Sequence, residues 1–299
     1  MPIIPPASTP PLAGLVQRPI RKLRDADAAL TLVSEAWDTF RASTSAVFEP
    51  RIELDAGAVE YVARIPVAPP VEEFEERLRA VVEDTRSALD NAVHAIGTAQ
   101  GVSQKAAKNI AFPILSDRAE WAKARRGRLN EVSEDVVGRI EQVQPYHQSD
   151  DRFPPHPLEV LREFSNADKH RAGFAVELSP SVVTERLLSE INLVIPSQTA
   201  ADVPQSLTPE DVSRMVDLDL DHVVDGAVVV RVRVPGLASA EHLEIGPLDL
   251  PLMLNATLHD GAPSHPVIPT MRNALRFARE TIRYVTGGTT DVPVPFFAA

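Results

Sequence analysis

Residues 71–97 have the sequence VEEFEERLRAVVEDTRSALDNAVHAIG, which gives the strongest structural signal in the chain. Mostly apolar residues recur there every three or four positions: Phe74, Leu78, Val81, Thr85, Leu89, Ala92 and Ile96. Residues with this spacing lie on one face of a helix and can face a core together. Gly97 follows, and glycine commonly ends a helix. The stretch therefore predicts a long amphipathic helix from about residue 71 to residue 96.

Further helices are predicted on both sides of this one. Helical spacing also occurs within residues 25–42, 133–143 and 157–170, and residues 98–130 are interpreted as helix with loops. Ser133 is predicted to be the N-cap of its helix, which Pro145 closes. The apolar positions that define these helices are Leu30, Val33, Trp37, Phe40, Val136, Val137, Ile140, Val143, Leu158, Leu161 and Phe164.

Alternating apolar and polar residues predict two β-hairpins. The first covers residues 52–65 and turns at Asp55-Ala56-Gly57. The second covers residues 216–234 and turns at Asp225-Gly226, with every second residue a valine from 228 to 234. Such alternation around a short Asp- and Gly-containing turn is typical of a hairpin.

Two more strands and a helix are predicted towards the C-terminus. The strands are expected near residues 241–245 and 252–259. An amphipathic helix follows, and its apolar positions are Met271, Leu275, Ala278, Ile282 and Val285. Its 3.6-residue spacing predicts one buried face.

The predicted fold class is α+β: a helical bundle with an antiparallel β-sheet portion and a closing C-terminal helix. Residues 1–24 are rich in proline and then basic, which predicts an extended arm. Residues 25–171 are predicted to form the bundle with an inserted hairpin. Residues 172–286 are predicted to form the β-rich portion with the closing helix, and 287–299 a tail. The first hairpin is expected to join the later strands in one sheet, which leaves open whether the two halves are one domain or two.

Composition excludes several classes of function. The chain has 30 Lys and Arg against 42 Asp and Glu, a formal net charge of -12, which disfavours general coating of nucleic acid. With no cysteine, disulfides, thiolate metal sites and a cysteine nucleophile are excluded. The sequence has no apolar run long enough to span a membrane and no secretory signal order. We therefore expect a cytoplasmic protein without a membrane partner.

Arg86, Asp90 and His94 are spaced four residues apart on the long predicted helix. They therefore lie along one strip beside its apolar face, where they could meet a partner helix. The simplest interpretation is an ion pair between residues four apart at the edge of a core.

A second polar group is the run Ser165-Asn166-Ala167-Asp168-Lys169-His170-Arg171 at the end of a predicted helix. One interpretation is a helix C-terminus whose cations complement the helix dipole. The other is that Asp168 orients Arg86, while His170 acts as a general acid or base near neutral pH.

A metal site is a further alternative, because Asp90, His94, Asp168 and His170 could supply two carboxylates and two imidazoles. Residues two apart on a helix do not share a face. Asp168 and His170 could therefore join one site only if the helix ended between them. No metal or cofactor is predicted.

Four short motifs resemble a set found in uncharacterised bacterial proteins, especially actinobacterial ones. They are R-S-A-L-D-N at residues 86–91, F-P-I at 112–114, Q-P-Y at 144–146 and N-A-D-K-H-R at 166–171. In the family's usual pattern the first motif ends in histidine and is similar to the R-x4-6-H motif of HEPN-type helical ribonucleases and toxins. The resemblance implies that arginine and histidine act on an RNA 2'-hydroxyl without metal.

Asn91 stands where the resemblance places that histidine. Asparagine cannot exchange a proton near pH 7, so His94 or His170 would have to act as the base. The leading hypothesis is therefore a non-catalytic binding or regulatory module with a structural network formed by Asp90, Asn91, His94, Asn166, Asp168 and Arg171 with Arg86. The alternative is a HEPN-like metal-independent ribonuclease, a toxin or defence component, with Arg86 and His170 as catalytic residues. The expected partner is RNA or protein.

Overall fold

The computed structural model describes residues 16–44, 46–148, 155–169, 174–180, 215–219, 223–234, 245, 247–248, 250–258 and 264–295. Its helices are α1 (Gln17–Ser43), α2 (Val71–Ala99), α3 (Gln104–Ala107), α4 (Trp121–Arg128), α5 (Glu134–Gln142), α6 (Pro157–Lys169) and α7 (Val267–Val285). Its strands are β1 (Val47–Glu53), β2 (Ala58–Arg64), β3 (Ala175–Pro180), β4 (Val216–Leu218), β5 (Val228–Arg233), β6 (Leu252–Thr257) and β7 (His265–Pro266). The fold class is α+β, as predicted. In the part of the chain described, no helix combines the length and the apolar character needed to cross a membrane.

The chain forms two compact units that alternate along the sequence. Unit 1 comprises Met1–Ser34, Glu73–Ala175 and Leu258–Ala299, and unit 2 comprises Glu35–Glu72 and Val176–Thr257. The closing helix α7 belongs to unit 1. The physical reason is its buried face, which packs against α5 and α6.

The core of unit 1 is built from the apolar faces predicted from the sequence. All seven residues that define the face of α2 are buried. The five apolar positions of α7 are also buried, and the Phe277 and His156 rings make a T-shaped contact with centroids 4.9 Å apart. Helical spacing therefore identified the buried faces correctly, because burial follows from which side of the helix each residue occupies.

Helix α1 starts earlier than predicted. It begins at Gln17, so residues 17–24 are helical and not part of an extended arm. Leu23 and Ala26 are buried and extend the predicted apolar face towards the N-terminus. Pro19 lies in the first turn, where proline is tolerated because the amide groups there have no partner within the helix. The proline in this stretch therefore does not indicate an extended conformation, because a helix can contain it in its first turn.

Helix α2 continues past Gly97 and ends at Ala99. Gly101 has a φ of +75° and provides the left-handed residue after the helix. Gly97 has another role, since a β-carbon there would lie 2.6 Å from Cδ1 of Ile110. The missing side chain allows the segment that starts at Ile110 to lie close against α2.

Unit 2 contains a four-stranded antiparallel sheet in the order β1-β2-β5-β4. Both predicted hairpins are confirmed, and they join in this one sheet through β2 and β5. The turn glycines Gly57 and Gly226 have φ values of +58° and +83°, which residues with a side chain rarely adopt. In β2 every residue except Arg64 is buried, so both faces of this strand are covered. In a second sheet β3 lies beside β6, the predicted strand at 252–259, whereas residues 241–244 lie outside the described residues.

A row of charged residues crosses the sheet of unit 2. Arg51 on β1 faces Glu60 on β2, and Glu60 faces Arg231 on β5. Arg51 donates to the Glu60 carboxylate at 2.5 Å and Arg231 donates to it at 2.6 Å. The Glu60 side chain is only 4% exposed, while both arginines are about half exposed. The hydrogen bond from Arg51 lowers the pKa of Glu60, against the opposing effect of burial. Two cations therefore compensate one buried anion.

Replacing Glu60 by glutamine should destabilise the protein by about 1 to 2 kcal/mol, because two arginines then face each other across a neutral amide. Urea unfolding at pH 7 measures this. The matched control is Glu49→Gln, since Glu49 pairs with Arg64 at 2.8 Å but is 55% exposed, and it should cost less than about 0.5 kcal/mol. Equal effects of the two substitutions would contradict a special role for the buried carboxylate.

Candidate functional site

A buried segment without regular secondary structure lies at the centre of the predicted site. Residues 110–116, here called the strap, connect α3 to the turn before α4 in an irregular conformation. Phe112 is 1% exposed and Ile114 is 4% exposed. Peptide groups buried in this way need hydrogen-bond partners, and the strap belongs to no helix or strand that could provide them. Side chains provide them instead.

Arg86 and Asp90 of α2 together hold the peptide groups of Phe112. The Phe112 amide donates to Oδ1 of Asp90 at 2.8 Å, and the Phe112 carbonyl accepts from Nη2 of Arg86 at 2.5 Å. The same Nη2 lies 3.1 Å from Oδ1 of Asp90. Because Arg86 and Asp90 are four residues apart on one helix, both can reach the same residue of the strap.

The electrostatics of Arg86 are those of a buried cation. Its side chain is 14% exposed. Burial lowers the pKa of the guanidinium, the negative charge of Asp90 raises it in part, and the positive charge of Arg128 lowers it. An arginine remains protonated under such conditions. Its charge is therefore balanced by Asp90, and one of its donors is bound to the Phe112 carbonyl.

The other end of the strap is anchored by Gln144, which is 1% exposed. The Leu115 amide donates to Oε1 of Gln144 at 3.0 Å, and Nε2 of Gln144 donates to the Ile140 carbonyl at 2.9 Å. The Ser116 hydroxyl donates to the Glu159 carboxylate of α6. Side chains from three places in the sequence thus converge on one segment of seven residues.

These contacts bring together three of the four motifs found in the sequence. The R-S-A-L-D-N motif supplies Arg86 and Asp90, the F-P-I motif is the middle of the strap, and the Q-P-Y motif supplies Gln144. In the described structure the motifs therefore meet through hydrogen bonds to backbone. Sequence reasoning missed this use of Gln144, although its motif had been noted.

The remaining predicted site residues do not take part in these contacts. Asn91 is half-buried on α2, and His94 is exposed two turns after Arg86. Asn166 is exposed near the end of α6. Asp168 lies in α6, but its side chain is outside the description, as are His170 and Arg171. Asp168 was predicted to orient Arg86; among the described side chains it is Asp90 that does so.

Two further observations concern metals and buried titratable groups. Among the residues that the structure describes, no three His, Asp or Glu side chains are placed to hold a metal ion together. His156, noted only as part of a loop, caps α6: the Leu158 amide donates to its Nδ1 at 3.2 Å. Burial lowers the pKa of His156 to about 4. A neutral imidazole is required here, since a protonated Nδ1 could not accept.

Comparison with protein-family models, with curated proteins and with solved structures found no match to this chain. The resemblance stated above rests on the motifs alone and stays a prediction. What the site can do is argued below from its geometry.

Replacing Gln144 by alanine should destabilise the protein by about 2 to 3 kcal/mol, because it leaves the buried Leu115 amide without an acceptor. Arg86→Ala should destabilise the protein by a similar amount, because Asp90 loses its counter-ion and the Phe112 carbonyl loses its hydrogen-bond donor. The double variant should deviate from additivity by more than about 0.5 kcal/mol, since both residues hold one segment. Urea unfolding gives these values, and hydrogen exchange of the Phe112 and Leu115 amides reports the strap itself.

His94→Ala is the matched control on α2, because His94 is exposed on the same strip of the helix. It should change the free energy of unfolding by less than about 0.5 kcal/mol. If Arg86→Ala and Gln144→Ala were as mild as this control, the strap would not depend on these side chains.

His156 should make the protein less stable in mild acid. Its pKa is 6.5 when unfolded and about 4 when folded, so the unfolded state binds the proton more tightly. The contribution of neutral His156 to the free energy of unfolding is complete above pH 6.5. It is lost as the pH falls towards 4, and the total loss is roughly 3 kcal/mol. His156→Asn keeps a capping oxygen but does not titrate, and the exposed His147→Asn is the control. The free energy of unfolding is measured against pH for each chain. If its slope between pH 4 and 6.5 were the same in His156→Asn as in the natural chain, His156 would not be the source of the acid sensitivity.

Proposed function

We propose that the chain is a non-catalytic binding module and that Arg86 and Asp90 form a structural network that holds the strap against α2. The observation that carries the proposal is the use of both peptide groups of Phe112: one accepts from Arg86 and the other donates to Asp90. An arginine engaged in this way stabilises a fold. Its Nη2 group is used by the Phe112 carbonyl and by Asp90, and its side chain is only 14% exposed, which disfavours contact with a phosphate or a 2'-hydroxyl.

The chemistry of the neighbouring residues supports the same proposal. A metal-independent ribonuclease needs a group that exchanges a proton near neutral pH beside the arginine. Asn91 occupies the position of that group in the resembling motif and cannot perform this exchange. His94 is exposed one turn after Asp90 and makes no side-chain hydrogen bond within the described part of the structure. The proposal leaves the partner as RNA or protein and the location as cytoplasmic, both as predictions from the sequence.

A HEPN-like ribonuclease of toxin or defence type remains the second candidate, and one observation favours it. The positive charge of Arg128 lowers the pKa of Arg86, so the basic end of α4 lies within electrostatic range of the site. Arg125 and Arg126 precede it in the same turn and all three are exposed, and Arg125 is paired with Glu134. A basic surface next to Arg86 is what an RNA backbone would require. In this alternative Arg86 and His170 are the catalytic residues.

Incubation with mixed RNA in the presence of a chelator distinguishes the two candidates. We expect no cleavage by the protein at any concentration, and we expect Arg86→Ala to lower the midpoint of unfolding while His170→Ala leaves it unchanged. Cleavage that disappears in both folded variants would overturn the proposal in favour of the ribonuclease.

Arg128→Ala is the matched control for Arg86→Ala. It removes an arginine charge from the same neighbourhood, but Arg128 is exposed and repels Arg86. The variant should therefore be as stable as the natural protein or slightly more stable, within about 0.5 kcal/mol. If Arg128→Ala were as destabilised as Arg86→Ala, the loss of a positive charge would explain both results. The hydrogen bonds from Arg86 to the strap would then not be the cause.

A further inference from the structure

Helix α7 carries four arginines along one side, here called the arginine ridge: Arg272, Arg276, Arg279 and Arg283. At about 100° per residue, these positions lie within about 60° of one another around the helix axis. They lie on the side of α7 that faces away from its buried residues. At about 1.5 Å per residue, the ridge is roughly 16 Å long. It is therefore long enough to contact an extended partner at several points.

Most of the positive charge of the arginine ridge is not neutralised by the residues that the structure describes. Arg272 and Arg283 are exposed and form no ion pair with any of them. Arg279 lies 3.6 Å from Asp27 of α1, and both side chains are more than half exposed. An exposed pair of this kind contributes little to stability, so it can be exchanged for another anion. Arg276 pairs with an acidic residue of its own helix at 3.1 Å.

The contact between α7 and α1 brings a further arginine to the ridge. Arg24 lies three residues before Asp27 on α1, and residues three apart on a helix are neighbours on its surface. Arg24 is exposed and has no ion pair within the described part of the chain. Both helices belong to unit 1 at these positions. One surface of unit 1 therefore presents four arginines that are unpaired or paired only weakly: Arg24, Arg272, Arg279 and Arg283.

This surface is positive in a chain whose formal net charge is -12. Helix α7 has a single acidic residue, Glu280, against its four arginines. A negative total charge disfavours the coating of a whole protein by a polyanion, but the local field of clustered cations still attracts one. A polyanion would therefore bind at this surface and not over the chain as a whole.

The uncharged residues of α7 distinguish between classes of polyanion. No large apolar side chain of α7 is exposed, and its aromatic residues, Phe277 and Tyr284, are buried. The centre of a protein interface and a helix that lies on a membrane both require exposed apolar groups. Proteins that bind single-stranded nucleic acid stack the bases on exposed aromatic rings. The phosphates of a duplex require neither feature.

We infer that the arginine ridge, together with Arg24, binds the phosphate backbone of a nucleic-acid duplex without reading its sequence. A duplex carries one negative charge per about 1.7 Å of its axis, so several phosphates come within reach of the ridge. The planar guanidinium group can donate two hydrogen bonds to one phosphate, and α7 contains arginine but no lysine. Contacts to phosphate position a protein on the duplex but carry no sequence information.

This inference rests on the proposed function in that it names a partner for a non-catalytic binding module. The two can fail separately. RNA cleavage that depends on Arg86 would overturn the proposed function and leave the ridge unaffected. A chain that binds no duplex would leave the hydrogen bonds from Arg86 to the strap intact.

Fluorescence anisotropy of labelled duplexes of about 20 base pairs, titrated with the full chain in chelator at pH 7, tests the inference. Four arginines that each neutralise one phosphate should give a slope of about -3.6 for the logarithm of the affinity against that of the salt concentration. The affinity should therefore fall about 150-fold between about 50 and 200 mM salt. Duplex RNA and duplex DNA, each in two unrelated sequences, should bind within about fivefold of one another.

A double variant locates the surface. Arg272→Gln combined with Arg283→Gln should reduce the slope to about -1.8 and weaken duplex binding at least about tenfold at low salt. The melting temperature should stay unchanged, because both side chains are exposed. The matched control, Arg64→Gln combined with Arg233→Gln, removes two exposed arginines of unit 2. It changes the net charge equally and should leave the slope as it is.

Three results would overturn the inference. The first is the absence of saturable duplex binding by the folded natural chain at about 50 mM salt. The second is a salt slope that the double variant on α7 leaves unchanged; loss of binding in Arg126→Gln combined with Arg128→Gln would then place the duplex on α4. The third is binding of poly-glutamate or of a single strand as tight as that of the duplex, which would show that the ridge does not select duplex phosphates.

Discussion

A buried peptide group must be hydrogen-bonded, and unit 1 depends on how this requirement is met at the strap. Residues 110–116 lie in the interior without belonging to a helix or a strand. A strap of this kind would cost several kcal/mol if its amides and carbonyls were left without partners. Arg86, Asp90 and Gln144 remove that cost for the two peptide groups of Phe112 and for the Leu115 amide. These polar side chains are therefore buried because they form hydrogen bonds with buried backbone groups.

The sequence predicted the elements of this fold better than it predicted the site. Helix faces and hairpins depend on local spacing, and spacing can be read from one sequence; the buried positions of α2 and α7 and the shared sheet of the two hairpins followed from it. The partners of the strap could not be read in this way. Gln144 meets Leu115 from 29 residues away, and which amide it reaches is decided by packing of the helices. The same limit explains why Asp90 was seen as an ion-pair partner of Arg86 but not as the acceptor for Phe112.

Unit 2 shows two opposite treatments of buried polar groups. The Glu60 carboxylate is almost completely covered, yet two arginines hydrogen-bond to it. The Thr44 hydroxyl is also covered, and nothing in the described structure bonds to it.

The arrangement at Phe112 also restricts how the sequence can change over evolutionary time. Arg86 and Asp90 serve the two sides of one residue, and each is the other's counter-ion. Loss of Asp90 alone leaves the largely buried Arg86 charge without its counter-ion, which is a larger defect than the loss of both residues. Substitutions at these two positions should therefore occur together. The two positions should covary among descendants of this sequence, while the exposed residues around them change independently.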